Sequence, residues 1–449
     1  MIPPDRSVSA LFVSASASGQ GKTTLTAGLA RLASRRGMRV RAFKAGADFI
    51  DPTILERASG GPVYQLDLWM GGLRDCRRLL RAAGAEADLL LVEGVMGLHD
   101  GEPSSAELAR LLAIPVAVVI DANAMAQTFG ALALGLRDFR PDVPFHGVLA
   151  NRVGGAAHAS MLAASLRALP RPPRFLGAVP DDPALALPER HLGLIAAGEI
   201  EGLDRLIDRA ADALAATEPL DGLPRVSFPP EPPESPEPPV PPVPPESPNA
   251  PPRLLEGVRV AVARDEALSF IYPANLDVLR SLGATIHFFS PLRDERLPEA
   301  ESVYLPGGYP ELHAERLAAN RPLQEALRAH AGAGKPILAE CGGMMLLLER
   351  LIDLESRAHR MIGLLPGETA MQPRLQALSL QSVTFEQGEL RGHSFHHSRL
   401  ATPLAPAARA RTQYGAEGEA LFRRGRLTAS YIHFYWPSNP RALAALLAP

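Results

Sequence analysis

Short apolar runs alternate with helical periodicity along most of this chain. Val8-Ser9-Ala10-Leu11-Phe12-Val13 reads as a buried strand, and residues 24–36 as the helix after it. Arg39-Val40-Arg41-Ala42-Phe43-Lys44, Leu89-Leu90-Leu91-Val92-Glu93, Val116-Ala117-Val118-Val119-Ile120-Asp121 and Gly147-Val148-Leu149-Ala150-Asn151 read as further strands with helices between. Near-continuous apolar strands alternating with helices predict a parallel sheet covered on both faces. The pattern returns near residue 258. Val258-Arg259-Val260-Ala261-Val262-Ala263, Thr285-Ile286-His287-Phe288-Phe289 and Ser302-Val303-Tyr304-Leu305 are strand-like, and residues 274–282 are helical. A second, smaller α/β sheet is expected there. Its last strand, Lys335-Pro336-Ile337-Leu338-Ala339, runs into Glu340-Cys341-Gly342-Gly343, and a helix is expected over 344–351.

Strand, sharp turn and helix at Cys341 present a thiol at the carboxyl end of a sheet strand, with backbone N–H groups aimed at it. Such a thiol should have a lowered pKa. On this stretch alone a buried inert cysteine before a glycine-capped helix stands as an equal alternative.

Composition narrows the picture. Between residues 229 and 252 more than half the positions are proline, which predicts an extended tether between two halves. Net charge is −3, so no basic field recruits nucleic acid. The two cysteines, Cys76 and Cys341, offer no disulfide framework or metal-ligand spacing, which fits a reducing, cytoplasmic setting. No signal-peptide pattern opens the chain and no apolar run approaches membrane-spanning length, so no membrane partner is expected.

Ser16-Ala17-Ser18-Gly19-Gln20-Gly21-Lys22-Thr23-Thr24 lies between the first strand and the first helix. It matches the phosphate loop G-x-x-x-x-G-K-[ST] except at Ser16. Backbone N–H groups around Gly19 and Gly21 would cradle phosphate oxygens. Lys22 would reach the terminal phosphates, and Thr23 would sit on Mg²⁺, with Thr24 completing the motif. Asp48, Asp51, Glu93 and Asp100 fall in glycine-rich stretches just past strand ends, where ligands of parallel sheets bind. Hard carboxylate oxygens suit Mg²⁺ beside a triphosphate, and a single such Asp could equally cap a helix.

Six stretches together carry a family resemblance across nearly the whole chain. They are Phe43 to Pro52 (Phe-Lys-Ala-Gly-Ala-Asp-Phe-Ile-Asp-Pro), Val92 to Gly101, Leu187-Pro188-Glu189-Arg190-His191-Leu192-Gly193-Leu194, Pro306-Gly307-Gly308-Tyr309-Pro310-Glu311, Ala339 to Gly343, and Arg391-Gly392-His393-Ser394-Phe395-His396-His397-Ser398. They resemble the cobyrinate (or hydrogenobyrinate) a,c-diamide synthases. The resemblance implies a P-loop, dethiobiotin-synthetase-like parallel-sheet domain over 1–225, a proline-rich linker over 226–253, and a class I glutamine amidotransferase (flavodoxin-like) domain over 254–449. It implies ATP, Mg²⁺ and L-glutamine-dependent amidation of the a and c carboxylates of a corrinoid tetrapyrrole acid in cobalamin biosynthesis. The route would be an acyl phosphate attacked by ammonia taken from glutamine.

The resemblance also assigns roles. Cys341 is the glutaminase nucleophile and His433 its base, with the oxyanion hole near Gly308 and Gly342. Gly19, Gly21, Lys22, Thr23, Thr24 and Lys44 belong to the ATP site, and Asn151 to its adenine end. Asp48, Asp51 and Asp100 serve the substrate or phosphate site, and Thr23, Asp48 and Glu93 the metal. A homodimer is compatible with this reading. Three positions depart from the family pattern: Ala47 stands for a usual Pro, His99 for an aromatic and Ser394 for a Glu. Tyr435 sits two residues after His433, so a Cys–His pair is expected in place of a Cys–His–Glu triad. Two other readings share parts of this pattern: a nickel-sirohydrochlorin a,c-diamide synthase, and a ParA-like ATPase switch with an inactive amidotransferase domain.

Overall fold

A computed structural model describes residues 7–188, 197–229 and 253–449. The proline-rich stretch and most of the Leu187–Leu194 motif lie outside the described residues. The chain divides into two compact units, Met1–Val240 and Pro241–Pro449. Among the described residues no helix is long and apolar enough to cross a membrane.

The first unit alternates strand and helix as its apolar runs dictate. In order these are β1 (Val8–Ala15), α1 (Lys22–Arg35), β2 (Val40–Ala45), α2 (Asp51–Ser59), β3 (Tyr64–Leu66), α3 (Gly72–Glu86) and β4 (Leu89–Glu93). Next come α4 (Ser105–Leu111), β5 (Val116–Asp121), α5 (Thr128–Asp138), β6 (Phe145–Val153), α6 (Ala156–Arg167), β7 (Phe175–Pro180), α7 (Leu203–Leu214) and β8 (Arg225–Val226). The strand order is β3-β2-β4-β1-β5-β6-β7, all parallel, and β8 adds antiparallel to β1. A buried apolar layer covers each face: Phe12, Val92 and Val118 belong to one, Leu11, Leu91 and Val119 to the other. Burial on both faces is why these strands read as continuous apolar runs.

The second unit contains β9 (Arg259–Ala263), α8 (Pro273–Ser281), β10 (Thr285–Phe289), β11 (Ser302–Leu305), α9 (Ala314–Ala319), α10 (Arg321–Gly332), β12 (Ile337–Glu340) and α11 (Gly342–Leu347). Then follow β13 (Arg350–Ile352), β14 (Ala358–Arg360), β15 (Glu368–Met371), β16 (Ala377–Phe385), β17 (Gly388–His396), β18 (Ser398–Ala401), β19 (Ala408–Thr412), β20 (Glu417–Arg424), β21 (Leu427–Ser430), β22 (His433–Phe434) and α12 (Pro440–Leu447). Its main sheet is not the smaller one. It has ten strands in the order β10-β9-β11-β12-β21-β20-β19-β16-β17-β22, beside a four-stranded sheet β14-β13-β15-β18. From β10 to β21 the pairs are parallel, and beyond β21 they are antiparallel. The antiparallel strands carry mixed polar and apolar residues, so no apolar run announces them.

The helix expected over 344–351 is also corrected. It ends at Leu347, because Leu348 turns to extended backbone and Arg350–Ile352 pairs with β15. A run of leucines fits a helix or a strand equally well, and here strand pairing decides.

Candidate active sites

In the first unit β1 delivers the chain into the loop at 16–21, and α1 begins at Lys22. Gly19 and Gly21 hold φ of +76° and +88°, which only glycine adopts without strain. Ser16, at the variant position, donates its hydroxyl to Gln20 Oε1 at 2.9 Å, and that same oxygen accepts from the Asp121 N–H at 2.8 Å. The loop is therefore tied to the end of β5. Asn151, at the end of β6, donates its amide to the Gln20 carbonyl at 2.9 Å. A Cβ on Gly21 would lie 2.5 Å from Asn151 Nδ2. The carboxamide is thus packed on the loop. Lys22 folds back to donate to the Met96 carbonyl at 2.6 Å. Burial, then the charge of Lys44, lower its pKa.

Sheet register explains the acidic cluster. Lys44 of β2 lies directly beside Glu93 of β4. Both are buried, and the ammonium sits 2.6 Å from Glu93 Oε1. Asp51, the first residue of α2, comes within 2.5 Å of it and Asp48 within 3.4 Å. Thr23 also donates to Glu93 Oε1, at 3.1 Å. Burial opposes the ammonium charge, but Glu93, Asp51 and Asp48 outweigh it and hold the Lys44 pKa well above its ordinary value. Burial pushes Glu93 up to about 7 and Asp48 up to about 6, while Lys44 keeps Asp51 low despite its own burial. Lys44 is therefore a carboxylate bridge in this state, a role its sequence position did not announce.

The other expected residues take local jobs. Asp48 Oδ1 accepts from the N–H groups of Ile50 and Asp51, capping α2. Asp100 accepts from the Gly97 N–H at 2.9 Å and stands apart from the Lys44 cluster. Thr24 donates to the Leu185 carbonyl at 3.2 Å. His99 gives Nε2 to a contact with the Leu136 carbonyl at 2.9 Å and packs on Phe139. The phosphate loop, Lys44, Asp48 and Asp51 line one cavity of about 500 Å³. Its other wall is Arg152 and the 180–188 segment, of which only Leu187 and Pro188 belong to a stretch the sequence reading singled out.

The residues fit a divalent cation in one way. Glu93 Oε2 is buried and has no hydrogen-bond donor among the described residues. Among those residues no three His, Cys, Asp or Glu side chains form a cage. The unpartnered Glu93 oxygen is a hard ligand of the kind Mg²⁺ takes alongside phosphate oxygens.

In the second unit Cys341 has φ +45° and ψ −107°, a strained conformation for a non-glycine residue. Its N–H donates to the Ser430 carbonyl at 2.7 Å, fixing the turn to β21. His433 opens β22 three residues beyond Ser430, directly paired with His393 of β17. The two imidazoles stack at 5.0 Å, and His393 Nδ1 bonds the Tyr272 hydroxyl at 2.9 Å. A Cβ on Gly307 would come within 2.1 Å of His433 Cε1, and one on Gly342 within 3.0 Å of Gly308 N. The structure thus gathers three stretches that lie far apart in sequence: Gly307-Gly308, Cys341-Gly342 and His433.

The expected low thiol pKa is corrected. Burial, then the charge of Glu311, raise it, and the Gly342 N–H only partly opposes them. Burial, then His393 and His396, hold His433 well below its ordinary value. The resting pair is a thiol and a neutral imidazole, and a neutral imidazole is the form that accepts a proton. Glu311 is itself pushed up to about 7 by burial. Ser394 is buried and accepts from Gln381 Nε2 at 2.6 Å. Nearby, His396 pairs with Glu419 at 3.0 Å.

A phosphate-loop site in one unit and a Cys–His site on a nucleophile turn in the other define a nucleotide-dependent ligase with its own glutamine amidotransferase. Residues 11–195 match the family model of the CobQ/CobB/MinD/ParA nucleotide binding domain, and residues 259–440 that of the CobB/CobQ-like glutamine amidotransferase domain. The hydrogenobyrinate a,c-diamide synthase of Stutzerimonas stutzeri (strain A1501) is 57% identical over 99% of both chains. The enzyme of that name from Pseudomonas aeruginosa is 56% identical, over 98% of this chain and 97% of its own. The cobyrinate a,c-diamide synthase of Herminiimonas arsenicoxydans is 47% identical over 100% of this chain and 99% of its own. The chain belongs to the cobyrinate/hydrogenobyrinate a,c-diamide synthase family.

Proposed function

We propose that this protein uses ATP and glutamine to convert the a and c carboxylates of hydrogenobyrinic acid to amides in cobalamin biosynthesis, in the cytoplasm. The observation that carries this reading is the pairing, in one chain, of a phosphate loop opening on the Lys44 carboxylate cluster with a thiol on a nucleophile turn. Cobyrinic acid is the second substrate reading, favoured by the name of the Herminiimonas relative.

A carboxylate does not condense with ammonia at neutral pH, because its oxygen leaves poorly. ATP removes that barrier. A substrate carboxylate oxygen attacks the γ-phosphorus, ADP leaves, and an acyl phosphate forms. Ammonia attacks the acyl carbon, loses a proton, and phosphate departs. In this scheme the loop N–H groups from Gly19 to Thr23 and the Lys22 ammonium hold the phosphates in line. Thr23, Glu93 and Asp48 would hold Mg²⁺, which supplies neutralisation of phosphate charge. Lys44 and Asp51 shape the acidic side of the cavity, where the substrate carboxylate and its phosphoryl group meet. Asn151 lies at the adenine end.

Ammonia comes from glutamine. Cys341 Sγ attacks the side-chain amide carbon while His433 takes the thiol proton. The N–H groups of Gly308 and Gly342 stabilise the oxyanion. His433 returns the proton to the leaving ammonia, and water then hydrolyses the thioester to glutamate.

The test is mass spectrometry of hydrogenobyrinic and cobyrinic acids incubated separately with full-length protein, ATP, Mg²⁺ and glutamine. Two successive carboxylate-to-amide changes on hydrogenobyrinic acid are expected. Amidation of neither acid would overturn the proposal, and amidation of cobyrinic acid alone would select the second reading.

A further inference from the structure

Glu340 stands immediately before Cys341 at the end of β12 and is buried. It belongs to none of the roles above. Its carboxyl lies in an apolar neighbourhood with Tyr304, Phe434 and Trp436, whose rings are buried in one core cluster. Three donors converge on it. The Tyr304 hydroxyl donates to Oε2 at 2.8 Å, and Trp436 Nε1 donates to Oε1 at 3.4 Å. The Phe434 backbone N–H is the third.

These donors come from the segments that carry the glutaminase parts. Tyr304 lies in β11, just ahead of Gly307 and Gly308. Phe434 follows His433, and Trp436 lies two residues beyond it. Glu340 itself precedes the thiol. Asn275 braces the same stretch from α8, donating to the Phe434 carbonyl and accepting from the Trp436 N–H, each at 2.8 Å. A buried carboxyl in an apolar cluster is costly, and a leucine would fill the space more cheaply. Its place is explained by the donors it collects.

We infer that Glu340 is a positioning residue for the Cys341–His433 pair: its carboxyl ties the nucleophile strand to the segment bearing the base and to the strand leading to the oxyanion loop. It serves in place of the carboxylate that the sequence lacks two residues after His433, where Tyr435 stands. It acts through the segment just after the imidazole, not on the ring. This inference rests on the reading of Cys341 as the ammonia-releasing nucleophile.

The test compares Glu340→Leu, Glu340→Gln and Tyr304→Phe in the full chain, measuring glutamate release, ammonia-driven amidation and the thermal midpoint. Displacing a catalytic group by about 1 Å costs on the order of 10²-fold. Glu340→Leu should therefore lose about 10²-fold in kcat for glutamate release, with KM for glutamine and ammonia-driven amidation nearly unchanged. Glu340→Gln, which keeps an acceptor of the same shape, should recover most of that loss. Tyr304→Phe removes one donor without changing shape and should lose kcat by several-fold, which keeps the test open if Glu340→Leu does not fold. Wild-type kcat in both Glu340→Leu and Tyr304→Phe would overturn the inference. So would a loss in glutamine- and ammonia-driven activity alike that tracks the thermal midpoint. Glutamate release surviving in Cys341→Ala would instead overturn the reading of the thiol.

Discussion

Adding one methyl group at Gly307 should disable ammonia release and spare the synthetase half. A Cβ there would sit 2.1 Å from His433 Cε1 and 2.8 Å from Nδ1, where ordinary contact begins near 3.4 Å. The imidazole cannot simply withdraw. The ring is stacked on His393, and its backbone lies against β17, where a Cβ on Gly392 would be 2.2 Å from the His433 carbonyl oxygen. Gly307→Ala must therefore push the ring, or the 306–308 turn, by roughly 1 Å, a displacement that costs on the order of 10²-fold in rate. That corresponds to about 2.7 kcal/mol in the barrier. Overpacking should cost about 1–3 kcal/mol of stability besides. The assay is glutamate release with saturating glutamine, alongside amidation driven by ammonium salt. The expected result is a collapse of the first with the second within a few-fold of wild type. Glutamate release within threefold of wild type would refute the placement of His433 as the base, as would equal loss of both activities.

Removing the Lys44 ammonium by Lys44→Met leaves buried Glu93 and half-buried Asp51 and Asp48 without their cation. Breaking such a buried cluster costs about 3–5 kcal/mol. Those carboxyls then have folded pKa values raised above their unfolded ones. The deficit should therefore be greatest at alkaline pH and shrink as acid protonates them, and a pH-independent deficit in denaturant titrations would contradict the bridge. Glu340 makes a second pH prediction. Its folded pKa is pushed up to about 8 by burial, against an ordinary 4.5. The stability linked to its proton is fully present below about 4.5 and is lost as pH rises through about 8. The thermal midpoint of wild type should accordingly fall relative to Glu340→Gln over that window, and parallel curves would show that the carboxyl does not titrate there.

Much of the first unit was legible because its strands are buried on both faces. Val8–Ala15, Leu89–Glu93 and Val116–Asp121 cannot hide in polar periodicity, and their ends point to the ligand side of a parallel sheet. The antiparallel half of the second sheet was not legible. Ala377–Phe385 buries only its centre, where Gln381 and Ser382 are polar, so nothing local separates it from loop sequence. Site geometry was legible where a motif dictates backbone, as at Gly21-Lys22 and at the Cys341 turn. It was not legible where a side chain's partner comes from elsewhere. The carboxylate partners of Lys44 came into view only when sheet register put it beside Glu93. The Cys341 thiol looked activated until its burial and the nearness of Glu311 were known. Arg152 and residues 180–186 of the cavity wall carry no motif of their own.

The most direct test of the central claim follows the nitrogen. Full-length protein is given hydrogenobyrinic acid, ATP, Mg²⁺ and glutamine labelled with nitrogen-15 at its side-chain amide, and the product is read by mass spectrometry. Wild type should place the label in both new amides, and Cys341→Ala supplied with unlabelled ammonium should form the same diamide with no label. Label entering the product of Cys341→Ala, or a wild-type product whose amides carry none, would contradict a ligase that draws its ammonia through Cys341.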